Sequence, residues 1–155
     1  MEFRRTNRLK AASHLKEVIV RLRSDREASR FIQAVDYGEF KYDRSFANSE
    51  LERQVDSTLE SLSYLCYLRK KGIIGEDEFG FAEYEITRLL MDKEVQKYLF
   101  NFYHFSNKAL AKKESAEEIV SGPFQYLLAY AKEKGFIDKE FFNKDNNKYE
   151  KILPF

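Results

Sequence analysis

The stretch from Ser49 to Ile74, SELERQVDSTLESLSYLCYLRKKGII, decides how this chain folds. Ser49-Glu50-Leu51-Glu52 has capping-box spacing, a hydroxyl at a helix start and a carboxylate three residues on, and predicts a helix from Ser49 to Lys71. Leu51, Val55, Leu59, Leu62 and Cys66 then recur at steps of three or four and form one apolar stripe. Tyr64 and Leu68 carry apolar character to a second face in the later half, and a helix apolar on two faces belongs in the middle of a bundle. Gly72 ends it, because a helix stop favours a left-handed residue there and lets the next apolar residue fold back on the last turn.

The same phrase returns downstream: Lys71-Gly72-Ile73-Ile74 is matched by Lys134-Gly135-Phe136-Ile137. Superposing the glycines also places Tyr67 on Tyr130 and Ile74 on Ile137, with Glu78-Phe79 matching Glu140-Phe141 after a one-residue shift. Each residue is explained by one stop-and-restart device: helix, Gly, two apolar residues, acid-capped helix. The expected geometry is left-handed backbone at Gly72 and Gly135, with Ile73 and Phe136 packed on the turns before them.

Outward from this centre the periodicity predicts further helices. Leu9, Ala12, Leu15, Ile19 and Leu22, with Val18 beside them, give a first helix over about 7–22. Ser24-Asp25-Arg26-Glu27 is a second capping box and starts a segment to Asp36 that buries Phe31, Ile32 and Val35, as one bent helix or as two. Tyr37-Gly38 closes it. Residues 37–48 read as an aromatic flap or a short extended, ligand-facing loop through Phe40, Tyr42 and Phe46. A helix from about Glu76 to Leu90 points Phe79, Ala82, Ile86 and Leu89 inward, and Asp92 caps the next, which runs to about Lys112. Ser115-Ala116-Glu117-Glu118 is a third capping box. Gly122-Pro123 restarts a helix with Phe124, Leu127, Leu128 and Ala131 buried, and Asp138 caps a last short one through Phe142. From about 143 the chain is a polar tail, frayed or docked through Ile152, Leu153 and Phe155.

The expected fold is therefore a single all-α domain over residues 1–155, an irregular bundle of about six or seven helices. Composition agrees: 43% hydrophobic and 34% charged residues suit a globular chain, and 2 Pro and 6 Gly are too few for a sandwich or barrel. A single Cys66 and no Cys/His ligand pattern point to a reducing, cytoplasmic setting. No apolar run approaches the length of a secretion core or a membrane span. The glycines lack phosphate-loop clustering, and His14 and His104 are the only histidines, so neither a cofactor nor a metal is expected.

Charge is distributed unevenly. Residues 1–30 hold nine Lys/Arg against four acids, while the remainder holds eighteen against twenty-two. Arg4, Arg5, Arg8, Lys10, Arg21 and Arg23 therefore form a candidate surface for an anionic partner, nucleic acid or lipid head groups, unless they pair with the acidic body. The run from Tyr98 to Phe105 supplies a second candidate. Tyr98, Phe100, Tyr103 and Phe105 cannot share one side of a helix with Val95, Leu99 and Phe102, so they face a second core or a protein interface.

Two resemblances add expectations. Arg8 and His14, with five residues between them, resemble the Arg-x(4–6)-His signature of the HEPN family of small helical ribonucleases. That resemblance implies metal-independent phosphodiester cleavage by Arg8 and His14 in a bundle cleft that a dimer assembles. More broadly, residues 7–112 resemble a bacterial family of helical domains without assigned function, often anchored to a membrane at the amino terminus. The resemblance is carried by Arg8-Leu9-Lys10, Ser24-Asp25-Arg26-Glu27, and Val55-Asp56-Ser57-Thr58-Leu59 leading to Lys70-Lys71-Gly72-Ile73-Ile74. It implies a bundle and no catalytic residue. The leading expectation is a non-enzymatic binding or regulatory module that acts through helix faces, with self-association or a protein partner. Nucleic-acid or anionic-surface binding is the alternative, and ribonuclease activity the third reading.

Overall fold

The computed structural model describes residues 2–47, 49–108, 122 and 124–155, apart from the Glu27 side chain. Among them are α1 (Glu2–Ser24), α2 (Arg26–Asp36), α3 (Glu50–Lys70), α4 (Glu76–Met91), α5 (Lys93–Asn107) and α6 (Gln125–Glu133), then a 3-10 turn at Lys139–Phe142. The fold is all-α, with no strand among the described residues, and α3 is its axis, packed against α1, α2, α4 and α6. No described helix is long and apolar enough to cross a membrane. The third capping box, the extension to Lys112 and Pro123 lie outside the described residues.

α3 forms where the sequence places it, with Tyr64 exposed instead of on an inner face and Leu51 half-buried. Ser49 Oγ accepts the Glu52 N–H at 3.2 Å, and Val55, Leu59, Leu62, Leu65, Cys66 and Leu68 are buried on its two inner faces. Burial pushes the Cys66 thiol up to about 12, which keeps it protonated as a core atom.

The two Gly stops have one geometry. Gly72 (φ 67°) donates to the Arg69 carbonyl at 2.9 Å, and Ile73 donates to the Leu68 carbonyl at 2.9 Å. Gly135 (φ 76°) donates to the Lys132 carbonyl at 3.1 Å, and Phe136 donates to the Ala131 carbonyl at 2.9 Å. Both are Schellman motifs, which satisfy carbonyls that a helix end otherwise leaves unpaired. Ile73 and Phe136 are half-buried, while Ile74 and Ile137, one residue on, are the deeply buried clasp. A Cβ at either glycine would meet no atom within 4 Å, so substitution costs backbone strain alone. Gly72→Ala and Gly135→Ala should each lose about 1 kcal/mol in urea unfolding at unchanged slope; a loss below a few tenths would show that the stops relax freely.

α3 and α6 run parallel. Leu127 N–H, in the first turn of α6, donates to Ser63 Oγ at 3.2 Å, and six residues on along each helix Arg69 pairs with Glu133 at 3.2 Å. The repeated phrase thus marks two helices that stop side by side. Arg69 fastens the stops: its guanidinium also pairs with Glu76 at 2.9 Å, on the first turn of α4, and lies 5.4 Å from the Phe79 ring and 5.2 Å from the Tyr130 ring. Tyr130 in turn donates to Glu83 at 3.0 Å.

Elsewhere the structure corrects the sequence reading. α1 begins at Glu2, and its buried stripe is Ala11, Leu15, Val18 and Leu22; Leu9 and Ala12 face outward. The stripe keeps to steps of four and three with Ile19 half-buried at its edge, because α1 meets the bundle along a narrow seam. Ser24 does not cap α2, since its hydroxyl donates back to the Val20 carbonyl at 2.6 Å, and a break at Asp25 makes two helices. Residues 37–47 form the aromatic flap, with Phe40, Tyr42 and Phe46 buried and Tyr42 edge-on to Tyr98 at 5.2 Å.

α5 is buried on two sides, which disposes of most of the aromatic run. Asp92 caps it through the Glu94 and Val95 N–H groups, both at 2.9 Å, and Tyr98 and Phe100 are core side chains. The tail is docked on the second side. Buried Asn101 donates to the Glu150 carbonyl at 2.8 Å and accepts the Ile152 and Leu153 N–H groups at 2.6 and 3.1 Å. Gln96 accepts the Tyr149 hydroxyl at 3.0 Å, and Tyr149 stacks on Phe100 with 4.9 Å between ring centres.

Candidate functional site

The most conspicuous surface feature is the start of α1. All nine residues from Glu2 to Lys10 are helical and exposed, so the helix extends past the bundle instead of lying on it. Arg4, Arg5, Arg8 and Lys10 lie in this segment and make no ion pair among the described residues. Arg4 and Arg8 continue the buried stripe of Ala11, Leu15, Val18 and Leu22 by the same steps, which places cations where the seam would otherwise demand apolar residues. Arg21 differs: it donates to Ser57 at 2.9 Å and pairs with Asp25 at 3.5 Å, so it braces α1 on α3. Arg23 is exposed near the other end of the helix, remote from the first group.

Contacts along α1 also give its direction. Arg21 meets Ser57 and His14 meets Tyr64, so a step back along α1 is a step forward along α3 and the two helices are antiparallel. The exposed basic start of α1 therefore projects beyond the end of α3 that carries Lys70 and Lys71.

On that side of the bundle, four rings cross from α1 over α3 to α6. His14 stands edge-on to Tyr64 at 4.8 Å, Tyr64 stacks with Tyr67 at 5.8 Å, and Tyr67 meets Tyr126 at 4.9 Å. Tyr64 is 46% exposed and the other three rings are half-buried. Lys70 Nζ lies 5.7 Å from the Tyr126 ring centre and Lys71 Nζ lies 5.9 Å from that of Tyr67. This ladder went unread in the sequence. Its signal is Tyr64, Tyr67, Lys70 and Lys71 at steps of three and four on one helix, masked because Tyr64 was assigned to a core face.

The other predicted residues do not assemble. Six residues along a helix turn the chain through 600°, leaving Arg8 and His14 about 120° apart, and His14 packs on Tyr64 instead of facing Arg8. Within the aromatic run, Tyr98 and Phe100 are interior, Tyr103 packs on Phe142 at 5.2 Å, and Phe105 alone is well exposed at 46%. An outward apolar face exists instead on α4, where Phe81 (69% exposed), Tyr84 (65%) and Met91 (61%) share a side, with Arg88 lying over the Tyr84 ring.

Burial shifts the titration of several described groups. Burial pushes Asp56 up to about 6, helped by nearby Glu52 and Glu60, and pushes Tyr42 up to about 12, while His104 is lowered by burial. Asp56, on α3, lies close enough to Tyr42 to help raise the phenol, and its buried Oδ1 has no hydrogen-bond partner among the described residues, whereas His104 lies under the tail against the Phe141 carbonyl. No cluster of three or more His, Cys, Asp or Glu among the described residues could hold a metal ion. A groove of about 630 Å³ runs between the start of α5 and the tail, where Gln96 holds Tyr149, Lys97 pairs with Glu94 at 2.9 Å and Glu150 at 3.7 Å, and Lys93 and Lys148 complete the polar lining.

No protein-family model, curated protein or solved structure matches the chain.

Proposed function

We propose that this chain is a non-enzymatic helical binding module whose basic α1 start engages an anionic partner. One observation carries the reading: nine successive helical residues are exposed and bear four cations with no ion pair among the described residues. A stable fold has no need of such a segment, and like charges held on one exposed helix start raise the local potential for anions. Phe3 and Leu9, though exposed, are six residues and so about 120° apart around the helix. They form no continuous apolar face, which weighs against a helix lying in lipid.

The test is binding of a labelled polyanion followed by fluorescence anisotropy across a salt series. About four phosphate contacts predict a log–log salt slope near −3, a loss of roughly 50-fold between about 50 and 200 mM salt. Arg4→Ala, Arg5→Ala and Arg8→Ala combined should flatten the slope without moving the melting temperature, since all three side chains are exposed. Absence of binding to any polyanion at low salt would overturn the reading and shift it to a protein partner or a second copy on the α4 face of Phe81, Tyr84 and Met91.

A further inference from the structure

We propose that the ring ladder and the basic α1 start together form a binding site for single-stranded nucleic acid, with bases stacked on Tyr64 and Tyr67 and phosphates held by flanking cations. This rests on the anionic-partner reading and narrows it to one class. Proteins that hold single strands join a cationic track to aromatic faces on which successive bases stack. Both parts are present on one side of this bundle. Tyr64 and Tyr67 lie nearly parallel, with an interplanar angle of 25° and centres 5.8 Å apart, and Tyr64 keeps 46% of its surface exposed. His14 and Tyr126 stand edge-on at the two ends of the pair and hold it in place.

The cations are placed to follow a backbone. Lys70 and Lys71 sit within 6 Å of the Tyr126 and Tyr67 rings; Lys10, one turn before His14 on the same face of α1, lies level with the end of α3, and Arg4 and Arg5 lie beyond that end. A duplex would satisfy the cations equally well but hides its base faces, so the exposed Tyr64 ring, backed by half-buried Tyr67, favours an unpaired strand.

The experiment uses the full chain with fluorescein-labelled oligo(dT) and oligo(U), a duplex of matched length and phosphatidylserine vesicles as competitors. The expected result is single-strand binding at least tenfold tighter than duplex binding, with tyrosine emission quenched on binding. Tyr64→Ala should weaken single-strand binding about tenfold while leaving the salt slope unchanged, and Tyr64→Trp should tighten it. Lys70→Ala with Lys71→Ala should instead flatten the slope. The inference is overturned if duplex and single strand bind alike, if vesicles displace the oligonucleotide, or if Tyr64→Ala changes nothing. Each of those outcomes with salt-dependent binding intact leaves the anionic-partner reading standing; no binding by any of the three probes removes both.

Discussion

Asn101→Ala should release the last residues of the chain and lower global stability by about 3 kcal/mol, the sum of several buried polar groups losing their partner. Asn101 is fully buried on α5 and uses its whole amide: the nitrogen donates to the Lys97 and Glu150 carbonyls at 2.9 and 2.8 Å, and the oxygen accepts from Ile152 and Leu153. Alanine leaves those two amides and the Glu150 carbonyl with water as the only alternative partner, and water reaches them only if the tail lifts. Lifting in turn uncovers Phe100, which the tail covers with Tyr149 and Phe155. Hydrogen exchange separates the two effects. Ile152 and Leu153 amides should lose protection far beyond the global change, while α3 amides follow the global change alone. Retention of tail protection in the variant would show that aromatic packing, not Asn101, holds the tail.

The same dock predicts an acid limit. Burial holds the His104 pKa below its ordinary value, and its Nε2 lies 2.9 Å from the Phe141 carbonyl under the stacked Phe155 ring. The unfolded chain therefore takes up a proton at a higher pH than the folded one. The contribution of His104 to stability is complete above its ordinary range near 6.5 and declines as pH falls below it.

What the sequence made legible follows from how local each cause is. Helix stops depend on a few adjacent residues, so Gly72 and Gly135 are readable in one dimension, as are the Asp92 and Asp138 caps and the inward face of α4. Tail docking is a different matter, because Asn101 looks like a polar break in an apolar helix until residues fifty positions away arrive to use it. Burial of Tyr98 and Phe100 had the same cause: the flap supplies one partner surface and the tail the other, and neither is near in sequence. The start of α1 was misplaced because periodicity locates where a helix packs, and its first nine residues pack against nothing described. The candidate site was half legible. Its cations are visible in the sequence, but the rings of the ladder come from three helices.

Arg69→Met should cost about 2 kcal/mol and, if the ladder binds a strand, weaken single-strand binding without removing any cation of the α1 start. The guanidinium is only 14% exposed and forks to Glu76 and Glu133, between the Phe79 and Tyr130 rings. Its partners are well solvated, at 72% and 55% exposure, so they recover water when Arg69 goes, which keeps the loss below that for a fully buried pair. Arg69→Lys should lose most of the same amount, since an ammonium cannot fork to two carboxylates or lie flat on two rings. The hydrogen bond from Arg69 holds the Glu133 carboxyl below its ordinary range. A depressed carboxylate contributes stability above its unfolded value near 4.5 that is lost as pH falls through the folded value. The gap between wild type and Arg69→Met should therefore narrow below about pH 4.5, and a gap unchanged by acid would assign the effect to ring packing alone. The consequence for binding is geometric. Arg69 fixes the ends of α3 and α6 against each other, and Tyr67 and Tyr126 meet across those two helices at 4.9 Å. Loosening that pair widens the ladder at one end, so the variant tests whether the rings act as a built platform or as separate side chains.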